Sequence, residues 1–148
     1  MKIAIASDHA GFALKTLLIG RFSEHEFADM GTYSEEPCDY PDYVAAACRM
    51  VSDGEAELGI VICGTGIGAS ITANKIRGIR AALCFNEFMA EKSRQHNNSN
   101  VLVLGARVIG ADLAFAITEC WLVGEFEGGR HGRRIDKITA IEESEAKR

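Results

Sequence analysis

Cys63 closes the apolar run "LGIVIC", and the next five residues, Gly64-Thr65-Gly66-Ile67-Gly68, carry three glycines. A thiol at the mouth of a helix can have its pKa lowered from about 8.5 toward neutrality, which yields a thiolate able to act as nucleophile or base. Glycines allow close backbone approach and positive φ, and N–H groups at a helix start hold negative charge. A strand, a glycine turn and a helix in this order predict an anion cradle beside a reactive sulfur. Taken alone, the loop is where a substrate phosphate would be expected.

Other reactive types punctuate the chain. Ser7-Asp8-His9 follows the first apolar run, His96 and Asn97 lie in "SRQHNNSN", and Gly105-Ala106-Arg107 follows the last apolar run. The window "GGRHGRRIDK" sets Arg130, Arg133, Arg134 and Lys137 against the single acid Asp136, a local anion site on a chain of net charge −5. Together these residues supply an acid/base set, a carboxylate, an oxyanion cradle and an arginine cluster on loops that can converge. Gly64, Gly66 and Ala69 also satisfy the relaxed dinucleotide fingerprint, with Glu87 at about the expected distance, so a nucleotide-binding module is a rival reading. A Walker A loop is excluded by the lack of GK[ST].

The elements that must position these groups can be read from four apolar runs, at 2–6, 58–63, 80–84 and 100–105, with a weaker run near "EFADMG". They lack polar alternation, as suits strands buried on both faces of a parallel sheet. Segments of helical character lie between them at 11–22, 41–52, 67–76, 87–97 and 110–123, with Pro41 in a first turn. This alternation predicts a three-layer α/β architecture around a five-stranded parallel sheet, in one domain spanning 1–148. In such folds ligands collect at the carboxyl ends of strands. Ile135, Ile138 and Ile141 stripe a C-terminal helix at about 134–146, and the stripe must cover its own domain or a partner subunit.

The composition is 47% apolar and 25% charged, that of an ordinary globular protein. A negative net charge argues against nonspecific nucleic-acid binding. No segment approaches the ~20 apolar residues of a membrane span, and the start lacks a signal-peptide core, so a cytoplasmic protein with no membrane partner is expected. The five cysteines, Cys38, Cys48, Cys63, Cys84 and Cys120, are odd in number and without a CxxC, which suggests neither a disulfide framework nor a zinc site.

The blocks "IASDHAGFALK", "DYPDY", "ICGTGIGASITANKIRGIRAALC", "SRQHNNSNVLVLGARVIG" and "EGGRHGRRIDKI" resemble, in this order, the type B family of ribose-5-phosphate isomerases. That family also contains allose-6-phosphate and galactose-6-phosphate isomerases. The resemblance implies an aldose-ketose isomerase of carbohydrate metabolism, in the pentose phosphate pathway, that uses no metal and no cofactor. It also implies a Rossmann-like α/β/α sandwich and a homodimer or homotetramer with active sites shared between subunits. Cys63 would be the base, and His96, with Asp8 and Thr65, would open the furanose ring. The backbone of Gly64, Thr65, Gly66, Ile67 and Gly68 would stabilise the enediolate oxygen, which moves the phosphate to His9, Arg130 and Arg134. Asn97 and Arg107 match positions contributed by the neighbouring subunit, and Tyr43 matches a pocket-lining tyrosine.

Overall fold

The computed structural model describes residues 1–148. Its five strands are β1 (Lys2–Ser7), β2 (Glu26–Asp29), β3 (Leu58–Cys63), β4 (Ala81–Leu83) and β5 (Val101–Gly105). The helices between and after them are α1 (Phe12–Arg21), α2 (Tyr40–Ser52), α3 (Ile67–Ala73), α4 (Glu87–Asn97), α5 (Ala111–Leu122) and α6 (Arg130–Glu145). All strand pairings are parallel, in the order β2-β1-β3-β5-β4. No helix is long and apolar enough to cross a membrane.

Strand periodicity divides the core in two. Ile3, Ile5, Ile60, Ile62, Leu102 and Leu104 point to one face, where α1, α4 and α5 cover them with Leu18, Ala90 and Trp121. Ala4, Ala6, Val61, Cys63, Val101 and Val103 point to the other, under Val44, Ala47 and Cys48 of α2 and Ala69 and Ala73 of α3. Because successive side chains on a strand alternate sides, a chain of unbroken apolar runs builds both layers at once. The second face uses the smaller residues, and α2 and α3 therefore lie close to the sheet.

Element boundaries depart from expectation in two informative places. The third helix ends at Ala73, three residues earlier than expected, where the Asn74 side chain turns to bond the backbone N–H and carbonyl of Ala81. The last helix begins at Arg130 instead of about 134. Gly128 and Gly129, at φ 67° and 56°, turn the chain sharply enough to start it there. Arg130, His131 and Arg134 thus lie on the helix itself. Ile138 and Ile141 are exposed, so the isoleucine stripe is not covered by its own domain.

Candidate active site

The carboxyl end of β3 is held by its neighbours through the backbone. The Ala106 N–H donates to the Cys63 carbonyl at 2.9 Å, and the Arg107 N–H donates to the Gly64 carbonyl at 2.8 Å. This fold-back brings the loop against β5 so closely that a Cβ on Gly105 would stand 2.5 Å from the Thr65 carbonyl oxygen. Gly66 adopts φ 80°, and a Cβ there would lie 2.4 Å from Leu83. Both glycines are therefore dictated by geometry, one by contact and one by contact and backbone together.

The Cys63 sulfur is buried and accepts the Gly66 N–H at 3.2 Å. The Ile67 N–H bonds the Thr65 hydroxyl at 3.2 Å, while the N–H groups of Thr65 and Gly68 have no protein acceptor. A sulfur atom thus sits beside free amide donors, an arrangement that can receive a proton at one atom and hold an oxyanion next to it. The Tyr40 ring packs against Gly68, where a Cβ would be 2.4 Å from it.

Asp8 is only 6% exposed, and its carboxylate accepts the Gly11 N–H at 3.1 Å. Its position is set from behind: Ser7 exchanges backbone bonds with Gly31 and Thr32, both at 2.7 Å. That segment is tied down by the buried Lys15 ammonium, which donates to Asp29 and to the Thr32 carbonyl, each at 2.5 Å. His9 accepts the Cys38 N–H on Nδ1 at 3.2 Å, so its neutral form carries the proton on Nε2 and donates outward. Tyr43 stacks against Gly31, whose φ of 95° and absent Cβ admit the ring.

A second cluster forms elsewhere. The His96 and His131 rings stack with centroids 4.1 Å apart and planes 5° apart. Glu127 Oε2 lies 3.8 Å from His96 Nε2 and 3.6 Å from His131 Nε2. Burial holds the His131 imidazole below its usual range, reinforced by His96 and Arg130 and opposed by Glu127. Arg130 and Arg134 are exposed on the first turns of α6, and Arg80 Nε donates to the Asn97 and Asn98 carbonyls. The end of α4 is anchored by buried polar contacts: Trp121 Nε1 donates to Ser99 Oγ at 2.8 Å, and Ser93 and Ser99 share a hydroxyl bond at 2.9 Å.

The two clusters occupy opposite ends of the sheet. β5 runs from Val101, level with Gly59, to Gly105, level with Cys63. At about 3.3 Å per residue these levels are about 13 Å apart. His96 and Asn97 close α4 just before the low end; Cys63 lies at the high end. Within one chain the structure brings together Asp8, Cys63, Gly64, Thr65, Gly66, Ile67 and Gly68, with His9 on the adjoining loop and Tyr43 in the first turn of α2, and separates them from His96, Asn97, Arg130 and Arg134. These loops do not all converge within one chain, because an α4 that runs antiparallel to the strands delivers its C-terminus to the end opposite Cys63. The Arg107 side chain lies 3.5 Å from where a Gly64 Cβ of the same chain would stand.

Glu127, His131, Cys38 and Lys15 had not been singled out. The meeting of Glu127 and His131 was not readable from their four-residue spacing, because Glu127 lies on the loop before α6 and shares no helix face with His131. A concavity of about 810 Å³ runs between α6 and the β4 edge, lined among others by Arg80, Asn97, Ile138 and Ile141.

A parallel α/β sandwich with a thiol, free amides and a buried carboxylate at its strand ends defines a small-molecule enzyme of the doubly wound class. The chain belongs to the ribose/galactose isomerase family, whose profile matches residues 3–138. It is 49% identical over 144 residues to ribose-5-phosphate isomerase B of Escherichia coli K12, covering 96% of this chain and 97% of that one. The solved ribose-5-phosphate isomerase B of Clostridium thermocellum superposes with a TM-score of 0.96 at 50% identity, covering 97% of this chain and 99% of that one. A ribose 5-phosphate isomerase structure from Thermotoga maritima gives 0.92 at 53% identity, with 94% and 97% covered. The protein is a sugar-phosphate aldose-ketose isomerase.

Proposed function

We propose that the protein interconverts ribose 5-phosphate and ribulose 5-phosphate in the cytoplasm, through an enediolate, as a homodimer whose sites are each built from two chains. Cys63 as thiolate removes the proton from the carbon next to the carbonyl, and the resulting thiol returns it to the neighbouring carbon. The negative charge that develops on oxygen meets the free Thr65 and Gly68 N–H groups, where oriented donors assist most. Asp8 and Thr65 face the sugar hydroxyls from the same chain, and Arg107 and Tyr43 line the pocket.

A second copy supplies the other half: His96 for ring opening, Asn97 for orientation, and Arg130 and Arg134, with His9 of the first chain, for the phosphate. Arginine forks suit a phosphate dianion because they donate in a planar, bidentate pattern. The exposed Ile138 and Ile141 on α6, and Ile67, Ile71 and Phe88 around the β4 edge, are the apolar surface such a partner covers.

The observation that carries this reading is the buried Cys63 sulfur against the Gly66 N–H, one residue from unpaired amides. The test is conversion of ribose 5-phosphate by purified protein in EDTA without nucleotide, with Cys63→Ala in parallel. The wild type is expected to turn over and the variant to lose activity by three orders of magnitude or more while keeping its fold. An active Cys63→Ala enzyme would refute the base assignment. Turnover only of six-carbon phosphates such as allose 6-phosphate would keep the reaction and change the substrate.

A further inference from the structure

His96, Glu127 and His131 meet in a geometry that proton transfer to a sugar does not require. Their ligand atoms all lie within 4.8 Å of one another, and both imidazole Nε2 atoms face the same carboxylate oxygen. His131 is 7% exposed at its side chain, and its Nε2 has no hydrogen-bond partner. A buried nitrogen left unpaired beside a carboxylate and a second imidazole is a ligand set without its ion. We propose that His96, Glu127 and His131 form a binding site for a divalent transition-metal cation of the zinc type.

The oxygen–nitrogen distances are close to those a shared ion requires. Two ligands at about 2.0–2.1 Å from a tetrahedral ion stand about 3.4 Å apart, and the carboxylate oxygen is already 3.6 and 3.8 Å from the two nitrogens. The rings are parallel to within 5°, so their in-plane lone pairs run side by side, and bringing both onto one ion near Glu127 requires the partly exposed His96 ring to swing out of the stack. Two imidazoles and a carboxylate suit zinc, with a fourth position left for water. Glu127 is half-exposed, which gives the ion a route in and lets the carboxylate move to it. Arg130 and Arg134 oppose a cation here, but both side chains are exposed and free to turn into solvent.

Occupancy would tie up His96. If the reading above is right, the cation inhibits the isomerase reversibly by removing the ring-opening group; this consequence rests on that reading, whereas the site rests on geometry alone. Cys63, and Cys38 with His9, offer zinc competing ligands, but these contain sulfur and so announce themselves differently.

The experiment is a titration of the chelator-treated protein with cobalt(II), followed by displacement with zinc. The expected result is visible ligand-field absorption of a four-coordinate nitrogen/oxygen site, without a sulfur-to-cobalt charge-transfer band, lost on adding zinc. Even outer-shell changes typically cost about 10–100-fold in metal affinity, so Glu127→Gln, on an exposed loop, and His131→Asn are each expected to weaken zinc at least tenfold. Circular dichroism confirms the fold of each, and Glu127→Gln alone suffices if His131→Asn melts. Absence of the cobalt spectrum, a sulfur band only, or zinc affinity unchanged in Glu127→Gln would overturn the site. Binding lost in the variants, with wild-type turnover indifferent to zinc, would uphold the site and remove His96 from the chemistry.

Discussion

The two ends of the sheet are built by different means. At the Cys63 end the backbone does the positioning: register with β5, a positive-φ glycine and a glycine at van der Waals limit bring amides and sulfur together. At the His96 end the positioning is by side chains on two helices, stacked rings and a bridging carboxylate. A strand terminus tolerates almost no displacement, because every atom is shared with a hydrogen-bonded neighbour. A helix face tolerates a good deal. The proposed mechanism uses that difference: it puts the oxyanion, which needs ångström-level placement, on the first, and a phosphate met by long, exposed arginines on the second.

This contrast can be broken most sharply with methyl groups. Gly105→Ala forces a Cβ to 2.5 Å from the Thr65 carbonyl, and Gly66→Ala adds a left-handed penalty to a clash with Leu83. Either is expected to displace the cradle, lowering kcat by about 10²–10³, the usual effect of losing an oxyanion donor, and lowering the melting temperature. Gly132, on α6, has nothing within 4 Å of a built Cβ. Gly132→Ala is expected to leave kcat unchanged and to stabilise by up to about 1 kcal/mol. Steady-state kinetics and thermal melts on the two classes decide it; equal sensitivity at both ends would erase the distinction.

A smaller effect is expected from Arg134→Ala. Loss of a charge-assisted hydrogen bond is worth about 1.5–3 kcal/mol, so KM should rise about 10–100-fold with kcat little altered. A fall in kcat at constant KM would move Arg134 from binding into chemistry.

The smallest effect concerns the core behind the cradle. Burial pushes the Cys48 thiol up to about 12 and the Cys84 thiol up to about 11, from 9.0. With the folded value above the unfolded one, the neutral thiol contributes fully below pH 9, and its contribution is lost as pH rises toward the folded value. Each thiol should therefore remove up to about 1.4 kcal/mol per pH unit above pH 9. Urea denaturation at pH 8 and pH 10 measures this, and Cys48→Ala should flatten the slope.

Much of the Cys63 end is legible in the amino-acid sequence. The run "LGIVIC" coincides with β3, and 87–97 coincides with α4, because apolar continuity and an Asn86 cap leave little freedom. The glycine loop was legible for the same reason: only a turn with close approach spends glycine so densely. The other end was legible as residue types but not as a place. His96 and the arginines carried a chemical signature, yet nothing in their spacing said that an antiparallel return would put them about 13 Å from Cys63 along the strand direction. Lys15 shows the opposite failure. A lysine in a helix reads as surface, and only the fold reveals that it is buried to hold Asp29 and Thr32 behind Asp8.

The central claim is that a working site joins the Cys63 half of one chain to the His96 half of another. Cys63→Ala and His96→Ala, each purified and inactive alone, can be mixed, unfolded and refolded together. Random pairing makes half the dimers mixed, and each mixed dimer regains one of its two sites, so about a quarter of wild-type activity should return. If the mixture stays as inactive as its components while forming dimers, the two halves do not meet across chains and the account is wrong.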